Sequence, residues 1–445
     1  MSESLIKPRT LSGFRDFLPA AMIPRERLME TAREVYRSYG FAPIDTPTLE
    51  HADILCGKGS EETDRQMYRF EDNGGRDVGM RFDLTVPLAR FVAQHANDLG
   101  MPFKRYHIAT VWRGERPQAG RYREFAQCDF DTIGTTSVAS DIETGMVIFD
   151  LMRAIGFDNF SIRINNRKVL NGLLEKSGLA EHSVSVLRAL DKLPKIGREK
   201  VHAEMSNVTG AANEQIDQIL QLAEISGDRD SVLSQLDTVC SGSELAEEGL
   251  QQLRDVSAAA DAVGIENRNL QIDVSIARGL DYYTGTIYET FLEDLPSIGS
   301  VCSGGRYDNL AQLYTKQLLP GIGASLGLDR LLAAMQTLEM IPTTKTPADV
   351  MVVQFDSDYL NQYISIARSL RAAGLKVEVF PDAKKLNQQF KYADRRGFRA
   401  VIIAGADEFE SGQVQVKWLN DGSQASVSLD DDAGELAQML KAGLQ

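Results

Sequence analysis

Four guanidiniums crowd the segment VWRGERPQAGRYREFAQCDFDTIG at positions 111–134. Arg113, Arg116, Arg121 and Arg123 surround a Gly-containing turn, with Glu115 among them. Such a cluster makes a poor apolar surface and a good polyphosphate clamp, because each fork can hold phosphate bidentately. A solvated basic hairpin would carry the same residues. A second stretch, ARGLDYYTGTIYE at 277–289, sets an arginine and three tyrosines in a strand–turn–strand pattern. Tyr282 and Tyr283 are neighbours, so on a strand they point to opposite faces and at most one lines a given pocket. Cross-strand aromatic pairing would account for the stretch equally well. In GIGASLGLDRLLAAM (321–335), glycines at 321, 323 and 327 alternate with apolar residues and give way to a helix that opens with Asp329 and Arg330. That pattern suits a strand with close backbone approach on one face, whether for a ligand or for tight strand packing. Neither a dinucleotide fingerprint nor a P-loop fits. Near the end, KKLNQQFKYADRRGFR (384–399) carries Lys384, Lys385, Lys391, Arg395, Arg396 and Arg399 against the single acid Asp394. Phe390, Tyr392 and Phe398 interleave with these cations, as expected where phosphates and unstacked bases are bound. A solvated helix face would look similar.

The elements that must position these residues fall into blocks. RERLMETAREVYRSYG (25–40) has helical spacing and stops at Gly40. Pro43 and Pro47 mark an extended path after it. GMRFDLTVPLARF, RYHIATVWRGE and REFAQCDFDTIG read as antiparallel strands with one covered face. SDIETGMVIFDLMRAIG (140–156) reads as a helix capped by Ser140 or Asp141, with Glu143 in the first turn. Helical patterns fill about 168–265, and strand-like text resumes at 270–293. The expected organisation is one core formed by 1–165 and 266–336, interrupted by a helical insertion over 166–265. A linker at 337–347 leads to a C-terminal domain over 348–445, whose strands and helices alternate as in a mostly parallel βαβ sheet. The fold class is therefore α+β, an antiparallel-sheet core with a helical insertion followed by an α/β domain.

Composition narrows the function classes. Lys+Arg total 48 and Asp+Glu 63, a net charge of −15, over 445 residues. That balance disfavours indiscriminate nucleic-acid coating, which needs a dense cationic surface, but permits local basic strips. With 43% hydrophobic and 25% charged residues the chain has the composition of a soluble globular protein. No apolar run approaches the roughly 18 residues of a membrane helix. The N-terminal text lacks the apolar stretch of an export signal. Four dispersed cysteines (Cys56, Cys128, Cys240, Cys302) form no C-x-x-C pair, which fits reduced thiols and a cytoplasmic location. Five histidines without an H-x-x-H pair argue against a metal-centred enzyme.

Taken together, the segments resemble one family. YGFAPIDTPTLE is similar to motif 1 of the class II aminoacyl-tRNA synthetases, VWRGE…RYREFAQCDFD to motif 2, and GIGASLGLDRL to motif 3. ARGLDYYTG and SGGRYDNL (303–310) resemble the two signatures that mark histidyl-tRNA synthetases within that class. The resemblance covers nearly the whole chain, and its C-terminal part resembles an anticodon-binding domain.

What the resemblance implies is specific. L-histidine reacts with ATP to give histidyl-adenylate and pyrophosphate, and histidine then passes to the 3′ end of tRNA(His), a step of protein biosynthesis. Asp83 and Thr85 would hold the α-amino group. Gln127 would contact the amino acid, Asp131 read the imidazole and Tyr283 flank the ring, with Tyr282 and Tyr288 lining the same pocket. Arg113 and Arg278 would bracket the carboxylate and the α-phosphate as the catalytic pair. Arg121 would bind the outer phosphates, Phe125 stack on adenine and Arg330 face the nucleotide. Mg²⁺ would accompany ATP without a protein ligand cluster, Arg278 taking part of the role a metal plays elsewhere in the class. Gln118 would meet the acceptor end of the tRNA, and Lys384, Lys385, Lys391, Arg395 and Arg396 the anticodon side. Motif 1 implies a homodimer. Asp329 and Asp83 stand where other members use Glu, conservative departures that leave Arg330 in place. The rival reading is a non-catalytic, histidine-sensing regulatory paralogue of an ATP phosphoribosyltransferase. In general such a paralogue lacks the C-terminal domain and loses the catalytic arginines, both of which this sequence retains.

Overall fold

The computed structural model describes residues 5–56, 65–117, 120–276, 282–341, 345–354, 356–430 and 432–444. Arg278 and Gln118 lie outside them. The chain forms two compact units, one of 1–16 with 27–340 and one of 17–26 with 341–445.

The first unit is built on an eight-stranded sheet. Its strands are β1 (Ala42–Pro43), β5 (Phe103–Trp112), β6 (Glu124–Ile133), β7 (Phe160–Asn166), β8 (Leu270–Ile272), β9 (Thr286–Leu292), β10 (Cys302–Tyr307) and β11 (Gly321–Gly327). Their order is β1-β5-β6-β11-β10-β9-β7-β8, antiparallel except for β1/β5 and β7/β8. A second, three-stranded sheet pairs β2 (Leu49–His51), β4 (Asp77–Met80) and β3 (Arg69–Glu71). The helices between Arg167 and Ala262 leave the large sheet at the end of β7 and return to β8, its parallel neighbour. Asn166 fixes the departure. Its side chain accepts the Lys168 N–H at 3.0 Å and donates to Gln252 at 2.7 Å.

β6 is buried along nearly its whole length, not covered on one face as its alternation suggests. On one face Cys128 and Phe130 pack under the helix Pro19–Ser38, where the Tyr36 ring lies 5.1 Å from Phe130 and its hydroxyl donates to the Cys128 carbonyl at 2.9 Å. The opposite face carries Gln127, Asp129 and Asp131, all buried. Alternation of polar and apolar residues here marks two covered faces, one of them polar.

Other expectations shift as well. TVPLARF belongs to a helix, Thr85–His95, and not to a strand. Leu84, Leu88 and Val92 are buried at a spacing of four, a helical period that a short window disguises as alternation. The Asp83 carboxylate accepts the Val86 N–H at 3.0 Å, and Pro87 falls in the first turn, where its missing donor costs nothing. The helix 138–155 is capped by Ser137, whose side chain accepts the Ala139 N–H, and neither by Ser140 nor by Asp141. Asp141 instead forms a buried ion pair with Arg306, which also donates to the Thr135 carbonyl at 3.0 Å and the Ser140 hydroxyl at 3.0 Å. The first helix starts six residues earlier than its spacing indicates, at Pro19.

The second unit has a five-stranded sheet of β12 (Val350–Val352), β13 (Val377–Val379), β14 (Ala400–Ile403), β15 (Gln413–Trp418) and β16 (Gln424–Ser428), in the order β13-β12-β14-β15-β16. The first three are parallel, and β15 and β16 add an antiparallel hairpin. The mostly parallel expectation missed that hairpin, although Asp421-Gly422, with Gly422 at φ 75°, is a turn dipeptide. Val350 and Val352 face Tyr363, Ile366 and Leu370, while Met351 and Val353 face Phe380, Ala393 and Phe398.

Gly304 shows how closely these strands approach. A Cβ there would lie 2.1 Å from the Gly323 carbonyl oxygen and 2.5 Å from Ala324 Cα, both backbone atoms. At Gly327 the nearest atom to an added Cβ is 3.6 Å away, an ordinary contact. Gly304→Ala should therefore destabilise the protein by about 3 kcal/mol or more, while Gly327→Ala should stay within about 1 kcal/mol of the parent. Urea unfolding of the two variants side by side checks this. Equal midpoints would refute the packing account.

Candidate active site

One row of residues runs across the large sheet through Arg105, Asp131, Gly323, Gly305, Ile287 and Asn165, each paired with the next. Two adjacent glycines hollow out this row. A Cβ on Gly323 would meet Asp131 Oδ1 at 2.2 Å, and one on Gly305 would approach the Tyr283 ring at 3.2 Å. Above the hollow lies a cavity of about 240 Å³. Asp83 and Thr85, from the start of their helix, line it together with Arg113. Gln127, Asp129 and Asp131 come from β6, Ser325 from β11, Ser303 and Tyr307 from β10, and Glu289 from β9.

Tyr282 and Tyr283 both border this cavity, because they precede β9 in irregular backbone where strand alternation does not apply. Their rings meet edge to face at 5.3 Å, and Tyr282 meets Tyr307 in the same way at 5.9 Å. Tyr288 also borders the cavity, but its hydroxyl donates to the Asp141 carbonyl at 2.6 Å and is already used.

The charges are unusual for so small a space. Arg105 is fully buried, and its Nη2 lies 2.6 Å from Asp131 Oδ2. The Tyr307 hydroxyl donates to the other oxygen of Asp131. Burial raises the pKa of Asp131 although Arg105 and Tyr307 pull it back. Asp129 is raised to about 7, first by burial and then by the nearby charges of Asp131 and Asp83, against the pull of Arg105 and Ser325. Asp83 is also raised by burial, against its backbone hydrogen bonds and Arg113. The Arg113 guanidinium sits 4.4 Å from the Phe82 ring centre and 5.1 Å from that of Phe125, and its Nε donates to the Phe82 carbonyl at 3.2 Å. Among the described residues no hydrogen bond reaches Gln127 Oε1 or Asp129 Oδ1, both buried. No cluster of three or more His, Cys, Asp or Glu that could hold a metal occurs among them either.

Three of the remaining sequence candidates lie outside the cavity. Arg121 is half exposed, 3.6 Å from Glu115. Phe125 stands beside Arg113, and Arg330 donates to the Ser300 carbonyl. A Cβ on Gly120 would come within 3.8 Å of the Arg330 side chain, so the arginine-rich loop and the start of the helix Leu328–Thr337 adjoin. Asp329 accepts the Ala126 N–H at 2.7 Å and pairs with Arg15. Sequence reasoning passed over Asp129, Arg105, Tyr307, Ser325, Ser303 and Glu289. Strand parity alone places Asp129 between Gln127 and Asp131.

In the second unit, Lys384 and Lys385 precede the helix Leu386–Arg396, and Lys391 and Arg395 project from it, all exposed. Lys384 and Lys385 line an open hollow with Ala383, Leu386 and Asn387. Arg396 is less free, lying 3.9 Å from Glu378 and 5.9 Å from the Tyr392 ring centre. The interleaved aromatics do not form a stacking surface. Phe398 is buried, Tyr392 packs edge to face on Phe380 at 5.2 Å, and Phe390 is half-buried beneath Lys417. Their spacing serves the sheet-facing side of the helix.

Known proteins place the chain. A family model described as histidyl-tRNA synthetase matches residues 13–331, and one described as an anticodon binding domain matches 349–439. The chain is 64% identical to a histidine–tRNA ligase of Rhodopirellula baltica over 93% of its own length and 94% of that protein's. It is 49% identical to one of Treponema denticola, covering 91% and 90% of the two chains. A crystal structure of histidyl-tRNA synthetase from a Nostoc species superposes with a TM-score of 0.89 at 36% identity, over 98% of this chain and all of that one. A structure from Bacillus halodurans described as an ATP phosphoribosyltransferase regulatory subunit/histidyl-tRNA synthetase shares the fold at 20% identity, with a TM-score of 0.73 over 87% of this chain and 97% of that one. By the extent of the family match and the identity to these relatives, the chain belongs to the histidyl-tRNA synthetase family.

Proposed function

We propose that the chain is a histidine–tRNA ligase, activating L-histidine with ATP and transferring it to tRNA(His). The observation that carries this reading is the cavity. Its size suits an amino acid, and carboxylates, tyrosines and the Arg113 guanidinium line it. A zwitterion with a nitrogen-bearing ring matches that layout. Asp83 and Thr85 receive the α-ammonium group, Gln127, Asp131, Tyr282, Tyr283 and Tyr288 form the ring pocket, and Arg113 faces the carboxylate. Arg278 completes the catalytic pair, Arg121 and Arg330 hold the outer phosphates, Phe125 stacks on adenine, and Gln118 meets the tRNA acceptor end. The regulatory alternative is disfavoured, because the anticodon-domain match covers 349–439 and the 64% identical relative is named a ligase.

The reaction needs no side-chain nucleophile. A histidine carboxylate oxygen attacks the α-phosphorus of ATP, the bond to pyrophosphate breaks, and the leaving group carries away the charge. The tRNA's terminal hydroxyl then attacks the acyl carbonyl and AMP departs. What the chain supplies is orientation and fixed positive charge where phosphate charge develops. Arg113, clamped between Phe82 and Phe125, is already aimed and loses little entropy on binding. Mg²⁺ accompanying ATP would supply further neutralisation of phosphate charge, beside that of Arg113, Arg121 and Arg330. We also place the protein in the cytoplasm as a homodimer. Leu49 and Phe70, exposed on β2 and β3, are the kind of apolar surface a second copy covers.

Histidine-dependent ATP–pyrophosphate exchange tests the activity. Arg113→Ala and Arg278→Ala should each lower exchange turnover by about a hundredfold or more while the fold persists. Exchange within a few-fold of wild type would remove either residue from the mechanism.

The basic strip makes a separable prediction. Changing Lys391, Arg395 and Arg396 to Ala should weaken tRNA(His) binding and make its salt dependence shallower by up to about one logarithmic unit per lost phosphate contact, with exchange unchanged. An identical affinity and slope would return the strip to the role of a solvated face. Sedimentation of the wild type at twice 49.2 kDa, against 49.2 kDa for a monomer, checks the dimer.

Two buried groups give the free protein a distinctive pH profile. Asp129 keeps its proton up to about 7 when folded against 3.8 ordinarily, so across that window the folded state binds more protons and stability falls as pH rises. His107, lowered to about 4 by burial beside Arg105 and Arg81, does the reverse: between 4 and 6.5 the unfolded state binds more protons and stability rises with pH. The two slopes oppose each other. Asp129→Asn removes one of them, and should raise the stability of the ligand-free protein above pH 7 by on the order of a few kcal/mol, with little change near pH 4. Calorimetric melting across pH 4–8 reads this directly, and parallel wild-type and variant curves would contradict it.

A further inference from the structure

A segment near the start of the chain grips the arginine-rich loop. Residues 12–15 lie along the returning arm of that loop, where the Gly13 carbonyl accepts the Arg123 N–H at 2.9 Å. The Arg123 guanidinium is taken up by backbone, its Nε donating to the Glu115 carbonyl at 3.0 Å and its Nη1 to the Ser12 carbonyl at 3.3 Å. Gly13 has φ 84°, and a Cβ there would lie 2.8 Å from the Arg123 side chain, so the two segments run in close contact. Two residues on, Arg15 reaches two elements at once. Its guanidinium carbon lies 3.5 Å from the centre of the Tyr122 ring, a cation stacked on an aromatic face. The same guanidinium pairs with Asp329, which is 2% exposed and sits in the first turn of the helix Leu328–Thr337. The other oxygen of Asp329 accepts the Ala126 N–H at 2.7 Å, next to Phe125.

Resting on the ligase reading above, we propose that Arg15 is a positioning residue for ATP, locking the returning arm of the arginine-rich loop to the helix that carries Arg330. The groups assigned to the nucleotide come from three places: Arg121 from the loop, Phe125 from β6 and Arg330 from the helix. The β6/β11 ladder aligns the last two, because β11 runs directly into that helix. The ladder ends at Gln127 and Gly327, short of Tyr122 and Arg121. Arg15 spans the gap. Its removal takes a cation from a buried carboxylate and from the face of Tyr122 in one step, and so loosens the loop from the helix. The groups assigned to histidine are held by other contacts, Asp83 by the Val86 N–H and Asp131 by Arg105. The effect of Arg15 therefore falls on ATP and spares the amino acid.

The test separates the two substrates. Pyrophosphate exchange is measured against ATP and against L-histidine for wild type, Arg15→Ala, Arg15→Lys and Tyr122→Leu. Arg15→Ala should raise the KM for ATP at least about tenfold and leave the KM for histidine within about twofold, since a small displacement of binding groups costs that much. Arg15→Lys keeps a cation between Asp329 and Tyr122 and should stay within about threefold of wild type for both substrates. Tyr122→Leu removes the ring but not the ion pair, and should raise the KM for ATP at least about threefold with histidine unaffected. If near-ultraviolet circular dichroism shows Arg15→Ala to be misfolded, Tyr122→Leu decides on its own threshold. A smaller rise in the KM for ATP, or a rise shared by histidine, overturns the assignment. So does an Arg15→Lys variant as impaired as Arg15→Ala, which would mark a guanidinium that grips phosphate itself. Each of these results leaves the ligase reading intact. Wild type that fails to exchange with histidine would overturn the ligase reading and, with it, this assignment.

Discussion

The structure turns on a buried polar sheet face. Asp131 pairs with a fully buried arginine, and neither charge could remain there alone, because stripping one partner leaves an uncompensated ion in a low-dielectric interior. The pair also fixes register. Arg105 stands opposite Asp131, Asp131 opposite Gly323, and Gly323 opposite Gly305. A slip of one residue on any of these strands would turn carboxylates toward the Tyr36 and Phe130 side and drive phenyl rings into the cavity. The same row that needs two charges to be matched needs two side chains to be absent. The floor of the cavity is thus set by strand pairing, while Tyr282 and Tyr283 wall it from irregular backbone.

The SGGRYDNL segment concentrates these demands. Gly304 lets β10 and β11 approach, Gly305 makes room for Tyr283, and Arg306 ties the sheet to the helix 138–155 through Asp141. Tyr307 bonds Asp131, and the Asp308 carboxylate accepts the Thr284 hydroxyl at 2.7 Å. Consecutive side chains serve opposite faces of one strand, so the segment can hold the helix layer and the cavity at once. At the cavity, buried acceptors without a donor among the described residues coexist with carboxylates raised by burial, a local inconsistency of the kind expected at a functional site.

Much of this was legible in the sequence, and the gaps have physical causes. The glycine alternation of β11 predicted close backbone approach, and the packing reading of it holds at Gly323, where an added Cβ would strike Asp131 and the Phe130 carbonyl. The extent of β6 was read correctly, but its burial was not, because alternation cannot distinguish solvent from an internal polar face. Helix Thr85–His95 was lost because its Leu84–Leu88–Val92 period begins among strand-forming residues and contains a proline that is harmless only in the first turn. Asp141 was mistaken for a cap because its partner, Arg306, lies 165 residues away, beyond any local pattern. Asp129 was overlooked although the parity that linked Gln127 to Asp131 passes through it. The aromatics of the basic strip misled in the opposite direction. Phe398 and Tyr392 follow a spacing shared by stacking platforms and by ordinary helix–sheet packing, and only burial separates the two.

The two units differ in how their proposed sites can tolerate change. In the first, several polar side chains are held by neighbours that are themselves held. Gln127 donates to Ser325, Ser325 bonds Asp129, Arg105 pairs with Asp131, and Tyr307 rests against Tyr282. Changes there propagate, because residues joined in one network couple more strongly than distant ones. In the second, Lys384, Lys385, Lys391 and Arg395 stand exposed, and a phosphate chain asks them for charge density more than for exact geometry. Their effects should combine nearly independently and weaken with salt, whereas those of the cavity should not. Strict selection of a small zwitterion and loose grip on a polyanion therefore need different supports. One is a sheet whose register leaves no freedom, and the other a helix whose long cationic side chains retain it.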